Sequence, residues 1–193
     1  PHQADLVGIS LCSKIGKACY IPVGHKSPKC LKKEAVIKKL KKILEDPSIK
    51  KIGQNIKFDF IVFYKCGITL SSMEDTMLMS YVLDAGKNRH NMDTLSEIHL
   101  GHKTISFKEM VGTGKKEINF SEVELDKAKD YAAEDADVTF RLYKKFVKNL
   151  KSEKMINIYE IFEKPLIKIL AFMEIEGVEI DSKFLKSLSS KFE

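Results

Sequence analysis

Residues 125–150, LDKAKDYAAEDADVTFRLYKKFVKNL, form the longest stretch of the chain with the spacing of an α-helix. At roughly 100° per residue, one stripe of this helix is apolar; it contains Ala128, Tyr131, Val138, Leu142 and Phe146. Asp135 falls in the middle of the stripe, whereas Asp130 and Asp137 are predicted to face solvent. A carboxylate that faces a core is costly unless it is paired, hydrogen-bonded or metal-bound.

Two interpretations of Asp135 stay open from the helix pattern alone. The carboxylate is either a hydrogen-bonded or capping group of the scaffold, or a metal ligand. Tyr131 lies one turn earlier on the same face, so the two side chains can serve one site. A hydroxyl and a carboxylate together suit a bound metal ion and a water molecule.

Asp59 raises the same question in another part of the chain. It lies in the very apolar segment IKFDFIVFY, just after a predicted helix start. An acid in the first turn of a helix is favoured by the helix dipole, which is the structural explanation. Two such acids become a candidate site for Mg²⁺ or Mn²⁺, which prefer oxygen ligands, if the fold brings them together.

The other predicted elements alternate between strands and helices. A hairpin is predicted from residues 5–12 and 18–23, followed by an amphipathic helix that ends at Asp46–Pro47. Further strands are predicted at 50–53 and 67–70, and further helices at 56–66, 76–83, 93–101 and 156–176. We expect Asp75 and Asp93 to cap helices and residues 102–120 to form a long surface loop. This order indicates an α/β sandwich.

The composition excludes several classes of protein. A chain of 193 residues with 44% apolar composition is enough for one domain and the edge of a second, and its apolar runs are too short to span a bilayer. The four cysteines lack zinc-type or CxxC spacing, which favours reduced thiols in a cytoplasmic protein. A net charge of +6 suits a polyanionic partner, although the lysines of residues 32–42 also fit a solvated helix face.

The segments GQNIKFD (53–59) and YAAEDAD (131–137) resemble the second and third exonuclease motifs of the bacterial DNA polymerase I family, also called family A. Other segments match in order along practically the whole chain: ADLVGIS, ACYIPVGH, EDTMLMSYVLDAG, RHNMDTL and HKTISF. The resemblance implies an α/β, ribonuclease H-like 3′–5′ exonuclease fold of the DEDD type, Tyr subclass, with a mixed sheet flanked by helices. It also implies an exonuclease domain at 1–154 and, at 155–193, the beginning of the polymerase domain at its helical thumb.

The resemblance also implies roles for individual residues. Asp59 and Asp135 would be metal ligands and, with Tyr131, catalytic residues, Tyr131 orienting the attacking water. Two Mg²⁺ or Mn²⁺ ions would support hydrolysis of the 3′-terminal phosphodiester. The residues expected to bind the terminal nucleotide are Gln54, Asn55, Arg89 and Phe107. The expected partners are a single-stranded or frayed 3′ end of DNA and the rest of the polymerase chain, in a cytoplasmic, monomeric proofreading enzyme that performs DNA synthesis in replication and repair.

One motif of the family has no counterpart. The first motif, Asp-x-Glu on the first strand, is expected shortly before LVGIS, where Asp5 is the only acid and no Glu follows two residues later. We therefore expect a truncated unit that lacks the first strand and two of four acidic ligands and that is inactive alone. Two alternatives remain: a catalytically inactive exonuclease-fold module with a structural role in the polymerase, and a free-standing exonuclease acting on RNA, which the polymerase-like residues 159–181 disfavour.

Overall fold

Short strands alternate with helices in the computed structural model, which describes residues 1–114 and 117–192. The strands are β1 (Gly8–Lys14), β2 (Lys17–Pro22), β3 (Lys51–Gly53) and β4 (Met73–Asp75). The helices are α1 (Lys33–Glu45), α2 (Ile56–Lys65), α3 (Thr76–Asp84), α4 (Met92–Leu100), α5 (Phe107–Val111), α6 (Leu125–Ser152), α7 (Ile156–Ile158), α8 (Lys164–Glu176) and α9 (Ser182–Phe192). A 3₁₀ turn covers Phe120–Glu122 and a π-helical turn covers Tyr159–Glu163. The predicted α/β class is confirmed.

The strands pair in both directions. β1 and β2 form the predicted antiparallel hairpin, with Gly8 opposite Pro22. β3 and β4 are parallel, with Lys51 opposite Met73. Parallel neighbours need a crossover connection, and α2 provides it. In the described part of the chain the two pairs are not hydrogen-bonded to each other.

Helix α6 is the element against which most of the others pack. It contacts β1, β2, β3, α3 and α4, and its predicted apolar stripe faces the interior, where Ala128, Val138, Leu142 and Phe146 are buried. Burial of each large apolar side chain contributes about 1.5–3 kcal/mol relative to exposure. The stripe therefore fixes the rotation of α6 and so the direction in which Tyr131 and Asp135 point.

A second core lies between α2 and α8. Phe60 and Ile61 of α2 are fully buried and pack in one cluster with Ile167 and Ala171 of α8. Tyr159, in the π-helical turn before α8, is also fully buried and belongs to the cluster around α6. The segment after residue 155 is thus anchored in both cores.

The predicted strand at 67–70 is wrong by a few residues. Ile68 and Leu70 are buried in the core, but pairing with β3 begins only at Met73, after Ser72 at a φ of 50°. The apolar side chains that suggested a strand pack without forming a ladder. Strand pairing depends on the partner, which the local pattern does not contain.

Two predictions about the segment after α3 also need correction. Asp93 does not cap α4, because Asn91 holds the N-cap position; the Asp93 carboxylate accepts a hydrogen bond from Thr104 Oγ1 at 2.7 Å. The predicted loop at 102–120 contains α5, which begins with a Ser106–Glu109 capping box. This box was readable as S-x-x-E. Lys115 and Lys116, within the predicted loop, lie outside the described residues.

The predicted continuous helix at 156–176 is interrupted by the π-helical turn. Pro165 lies in the first turn of α8, and a proline has no N–H to donate to the carbonyl four residues earlier. The turn that precedes it, at Tyr159–Glu163, is π-helical. The turn places Tyr159 in the interior.

The four cysteines are free thiols, as predicted. A search of the described residues finds no helix with the length and apolarity needed to cross a membrane.

Candidate active site

Asp135 points from α6 into the protein with one oxygen unsatisfied. Its Oδ1 is buried and has no hydrogen-bond partner among the described residues. Burial raises the pKa of this carboxyl to about 7; a hydrogen bond from Tyr131 opposes the rise, and the charges of Glu134 and Asp93 add to it. A buried acceptor without a partner destabilises the fold by about 1–3 kcal/mol. Binding of a cation, or of a hydrogen-bond donor from a ligand, would relieve this cost.

Tyr131 connects this carboxylate to a group of aromatic rings. Burial, followed by the charge of Asp135, raises the pKa of the Tyr131 hydroxyl, so it stays a neutral hydrogen-bond donor. Its ring lies 6.1 Å from that of Phe107 and 5.9 Å from that of Phe120, centroid to centroid. Phe107 is 49% exposed. The structure therefore brings three predicted site residues together: Tyr131, Asp135 and Phe107.

Asp59 lies in the first turn of α2. Its side chain is accessible to solvent, yet the protein around it removes it from bulk water enough to raise the pKa of the carboxyl to about 7, with the Asp75 carboxylate adding to the rise. Accessibility is what permits a ligand to reach it.

Gln54 and Asn55 form the turn that leads from β3 into α2. The Gln54 side chain donates to the His90 carbonyl at 2.7 Å and accepts from Thr76 Oγ1, so both ends of its amide are engaged. Asn55 adopts the left-handed conformation, with φ 59° and ψ 50°, which asparagine tolerates better than most residues. Its exposed side chain does not cap α2. Asn55 is thus free to meet a ligand, whereas Gln54 is held.

Arg89 is exposed in the turn between α3 and α4. It directly precedes His90, whose carbonyl accepts from Gln54, so the Arg89 backbone lies near the turn at Gln54 and Asn55. Among the described residues Arg89 makes no ion pair.

The candidate residues thus fall into two groups. One contains Gln54, Asn55 and Asp59; the other contains Phe107, Tyr131 and Asp135. β3 contacts both α2, which carries Asp59, and α6, which carries Tyr131 and Asp135. Within residues 1–114 and 117–192 no three His, Cys, Asp or Glu side chains are grouped to hold a metal ion. Convergence of Asp59 and Asp135 on one metal site stays a prediction.

Two acids beside Asp135 have roles that the sequence pattern did not reveal. Glu134 accepts hydrogen bonds from the Ile105 N–H at 2.7 Å and contacts His102 Nε2 at 2.8 Å, which ties the segment leading to Phe107 onto α6. The prediction that Asp137 faces free solvent is wrong. Its carboxylate accepts from the Gly16 N–H and from Arg141 Nε, each at 2.6 Å, and so holds the β1–β2 turn. Only the i,i+4 spacing of Asp137 and Arg141 was readable from the sequence.

Comparison with known proteins agrees with this architecture. Residues 1–151 match a family model described as 3′–5′ exonuclease. DNA polymerase I of Rhizobium leguminosarum is 40% identical over 210 residues, a match that covers 98% of this chain. The chain spans 21% of the length of that relative.

Two solved structures share the fold. The POL domain of Pol1 from M. smegmatis, in complex with DNA primer-template and dNTP, has a TM-score of 0.74 and 21% identity, covering 97% of this chain and 29% of that one. Brucella melitensis NrnC with bound Mg²⁺ has a TM-score of 0.67 and 20% identity, covering 92% and 82% respectively. The predicted exonuclease fold is confirmed, and the chain belongs to the family of 3′–5′ exonuclease domains of bacterial DNA polymerase I.

Proposed function

We propose that these residues form the proofreading 3′–5′ exonuclease unit of a DNA polymerase I, which removes the 3′-terminal nucleotide of DNA by hydrolysis. The observation that carries the proposal is the buried, unpartnered Oδ1 of Asp135, one turn from the Tyr131 hydroxyl. An unsatisfied acid in the apolar face of a helix is destabilising for the fold, so its presence favours a function. The family membership supplies the reaction class.

Asp59 and Asp135 are the residues of this chain that would hold Mg²⁺ or Mn²⁺, two ions in the complete site. Their oxygen donors fit such ions, and the pKa of about 7 at each carboxyl means that a cation would compete with a proton there. When bound, divalent ions lower the pKa of a water and stabilise the charge that develops on the leaving oxygen. The other ligands would come from the first motif of the family, which these residues do not contain.

Tyr131 has the geometry of an orienting group. Its neutral hydroxyl lies close enough to Asp135 to influence the pKa of that carboxyl, and its ring is packed against those of Phe107 and Phe120. A hydroxyl fixed in this way restricts the position of a water beside the carboxylate. Restriction of this kind increases a rate by fixing the direction of attack.

The substrate would be bound by four groups around the two acids. The exposed ring of Phe107 offers a face on which a terminal base can stack. Asn55 and Arg89 present exposed polar side chains, while Gln54 holds the turn that carries Asn55. Such contacts suit a single-stranded or frayed 3′ end, because stacking and backbone contacts read no sequence.

The alternative is an inactive module that supports a polymerase. It is favoured by the lack of a three-ligand group in the described part of the chain. The division into an exonuclease domain at 1–154 and the start of a polymerase domain at 155–193, the association with the rest of a polymerase, and a cytoplasmic monomer all stay predictions.

The test compares Asp135→Ala with Asp130→Ala in the full-length protein that carries this sequence. Asp130 lies on the same helix and is exposed, which makes it a matched control for helix propensity and charge. Single-turnover digestion of a frayed primer and extension of a paired primer are measured on the same preparations. We expect Asp135→Ala alone to lose digestion, by about 10³-fold or more, and to retain extension.

Digestion by Asp135→Ala at the parental rate would exclude Asp135 from the chemistry. Equal loss of digestion and extension would indicate instead that Asp135 supports the whole protein, which is the structural alternative.

A further inference from the structure

Asp75 caps two helices with one carboxylate. Oδ1 accepts from the N–H of Met77 at 2.8 Å and of Leu78 at 3.4 Å, which is the predicted cap of α3. The same carboxylate also accepts from Asn55 N at 3.1 Å and, through Oδ2, from Ile56 N at 2.9 Å. The N-cap residue of α2, Asn55, makes no side-chain cap of its own. The start of α2 is therefore capped from β4, and we call this arrangement the double cap.

The double cap fixes the parts of the candidate site that lie at the start of α2. Asp59 is four residues after Asn55, one helical turn into α2, so the direction of its side chain follows the direction of the first turn. The two N–H groups that Asp75 holds belong to the left-handed residue Asn55 and to Ile56. Movement of Asp75 would rotate this turn and displace Asp59 with it.

Asp75 is in turn held from the segment after residue 155. The hydroxyl of the fully buried Tyr159 accepts from the Asp75 N–H at 2.9 Å and donates to Glu74 Oε2 at 3.1 Å. Lys164 and Lys50 contact Glu74 Oε1 at 2.8 and 3.1 Å, so this buried carboxylate is fully engaged. Tyr159 lies beyond residue 151, where the match to the exonuclease family ends.

We propose that Asp75 is a positioning residue for the exonuclease reaction, and that Tyr159 completes its support. The helical segment after residue 155 is then part of the apparatus that sets Asp59 in place. This inference rests on the proposed function. A cap that serves stability alone would change the melting temperature and leave metal binding and the rate of the folded enzyme unaltered.

The test uses Tyr159→Phe and Asp75→Asn in the full-length protein. Tyr159→Phe keeps the buried ring and removes the hydroxyl that accepts from the Asp75 N–H and donates to Glu74. Asp75→Asn keeps the shape and one acceptor oxygen. The matched control is Tyr143→Phe, which removes a hydroxyl that contacts Lys50 at 3.3 Å and leaves the hydroxyl–Asp75 bond intact.

Three quantities are measured below the melting temperature of every variant: Mn²⁺ affinity by calorimetry, the Mg²⁺ concentration for half-maximal rate, and the single-turnover digestion rate. We expect Tyr159→Phe and Asp75→Asn to weaken Mn²⁺ binding and slow digestion by about 10–100-fold, the usual effect of losing a group that orients a metal ligand. Tyr143→Phe should stay within about twofold of the parent, as a substitution outside the double cap.

Parental Mn²⁺ affinity and digestion in both folded variants would overturn the inference and leave the proposed function intact. A parent protein without digestion would overturn both. If Asp75→Asn does not fold, Tyr159→Phe alone decides between the two outcomes.

Discussion

The carboxylates of Asp75 and Asp135 both lie at least partly inside the protein, and they differ in their hydrogen-bond partners. Asp75 is 2% exposed, and its oxygens accept from the backbone N–H groups of two helix starts. Asp135 has a buried oxygen with no partner among the described residues. Burial raises the pKa of both carboxyls. The satisfied acid organises the scaffold, and the unsatisfied one is available to a ligand.

Stability measurements give the largest expected difference between these two acids. Asp75→Ala removes caps worth about 0.5–2 kcal/mol each from two helices and leaves buried N–H groups unpaired. We expect a loss of about 3–5 kcal/mol in the free energy of unfolding. Asp135→Ala should leave it unchanged or raise it, since this change removes a buried oxygen without a partner. Denaturant unfolding in EDTA measures the free energy of unfolding of both variants. Equal losses in the two variants would contradict the assignment of Asp75 to the scaffold and Asp135 to the site.

The hydroxyl next to Asp135 provides the next test. Tyr131→Phe keeps the ring between Phe107 and Phe120 and removes the donor to Asp135. We expect digestion of a frayed primer to slow by about 10–10³-fold, the scale of one lost orienting contact, with primer extension unchanged. Mn²⁺ affinity should stay near the parental value, because the carboxylate ligands remain. A Tyr131→Phe enzyme that digests normally would show that the hydroxyl only supports packing.

The pH dependence of stability sharpens the comparison further. The folded pKa of Asp135, about 7, lies above its ordinary value of 3.8. Between these values the folded protein holds a proton that the unfolded chain has released, so the free energy of unfolding falls as pH rises from about 4 to 7 and levels off above. In the parent protein without metal, we expect the free energy of unfolding to fall by an amount on the order of 2–4 kcal/mol over this pH range. Asp135→Asn should abolish this decrease. An unaltered pH profile in this variant, with Asp130→Asn as the control, would contradict the raised pKa.

The smallest effect is expected at Glu134, which ties the segment before Phe107 to α6. Glu134→Gln keeps one acceptor for the Ile105 N–H and weakens the contact with His102. We expect binding of a single-stranded oligonucleotide to weaken by about 3–10-fold, with a smaller change in the rate at saturation. Fluorescence anisotropy and single-turnover rates separate the two quantities. A change confined to the rate would place Glu134 with the chemistry and not with the aromatic segment.

The sequence predicted those features of the fold that depend on helical periodicity or on residues close together in the chain. The apolar stripe of α6, the odd position of Asp135, the hairpin and the Asp75 cap of α3 all follow from residues within a few positions of one another. Asp137 was misassigned because its partner Gly16 is far away in sequence. Helical periodicity predicts the direction of a side chain relative to the helix axis. It does not predict which residue from another part of the chain will contact that side chain.

The second half of the double cap was not predictable for the same reason. The bonds from Asp75 to Asn55 and Ile56 exist only because β3 and β4 pair in parallel, and that register is set by tertiary packing. The π-helical turn had a readable signal in Pro165, whereas the burial of Tyr159 depends on the core it enters. The convergence of Asp59 and Asp135 stays a prediction.

Glu74 and Asp75 are neighbours on β4 and serve opposite sides of it. Side chains alternate along a strand, so Glu74 meets Tyr159 and Lys164 while Asp75 meets the start of α2. Insertion or deletion of one residue inside β4 would exchange the two faces and leave each acid against the wrong partner. During evolution, length changes within β4, residues 73–75, should accordingly be purged. Point substitution, which keeps the register, leaves the two faces of β4 in place.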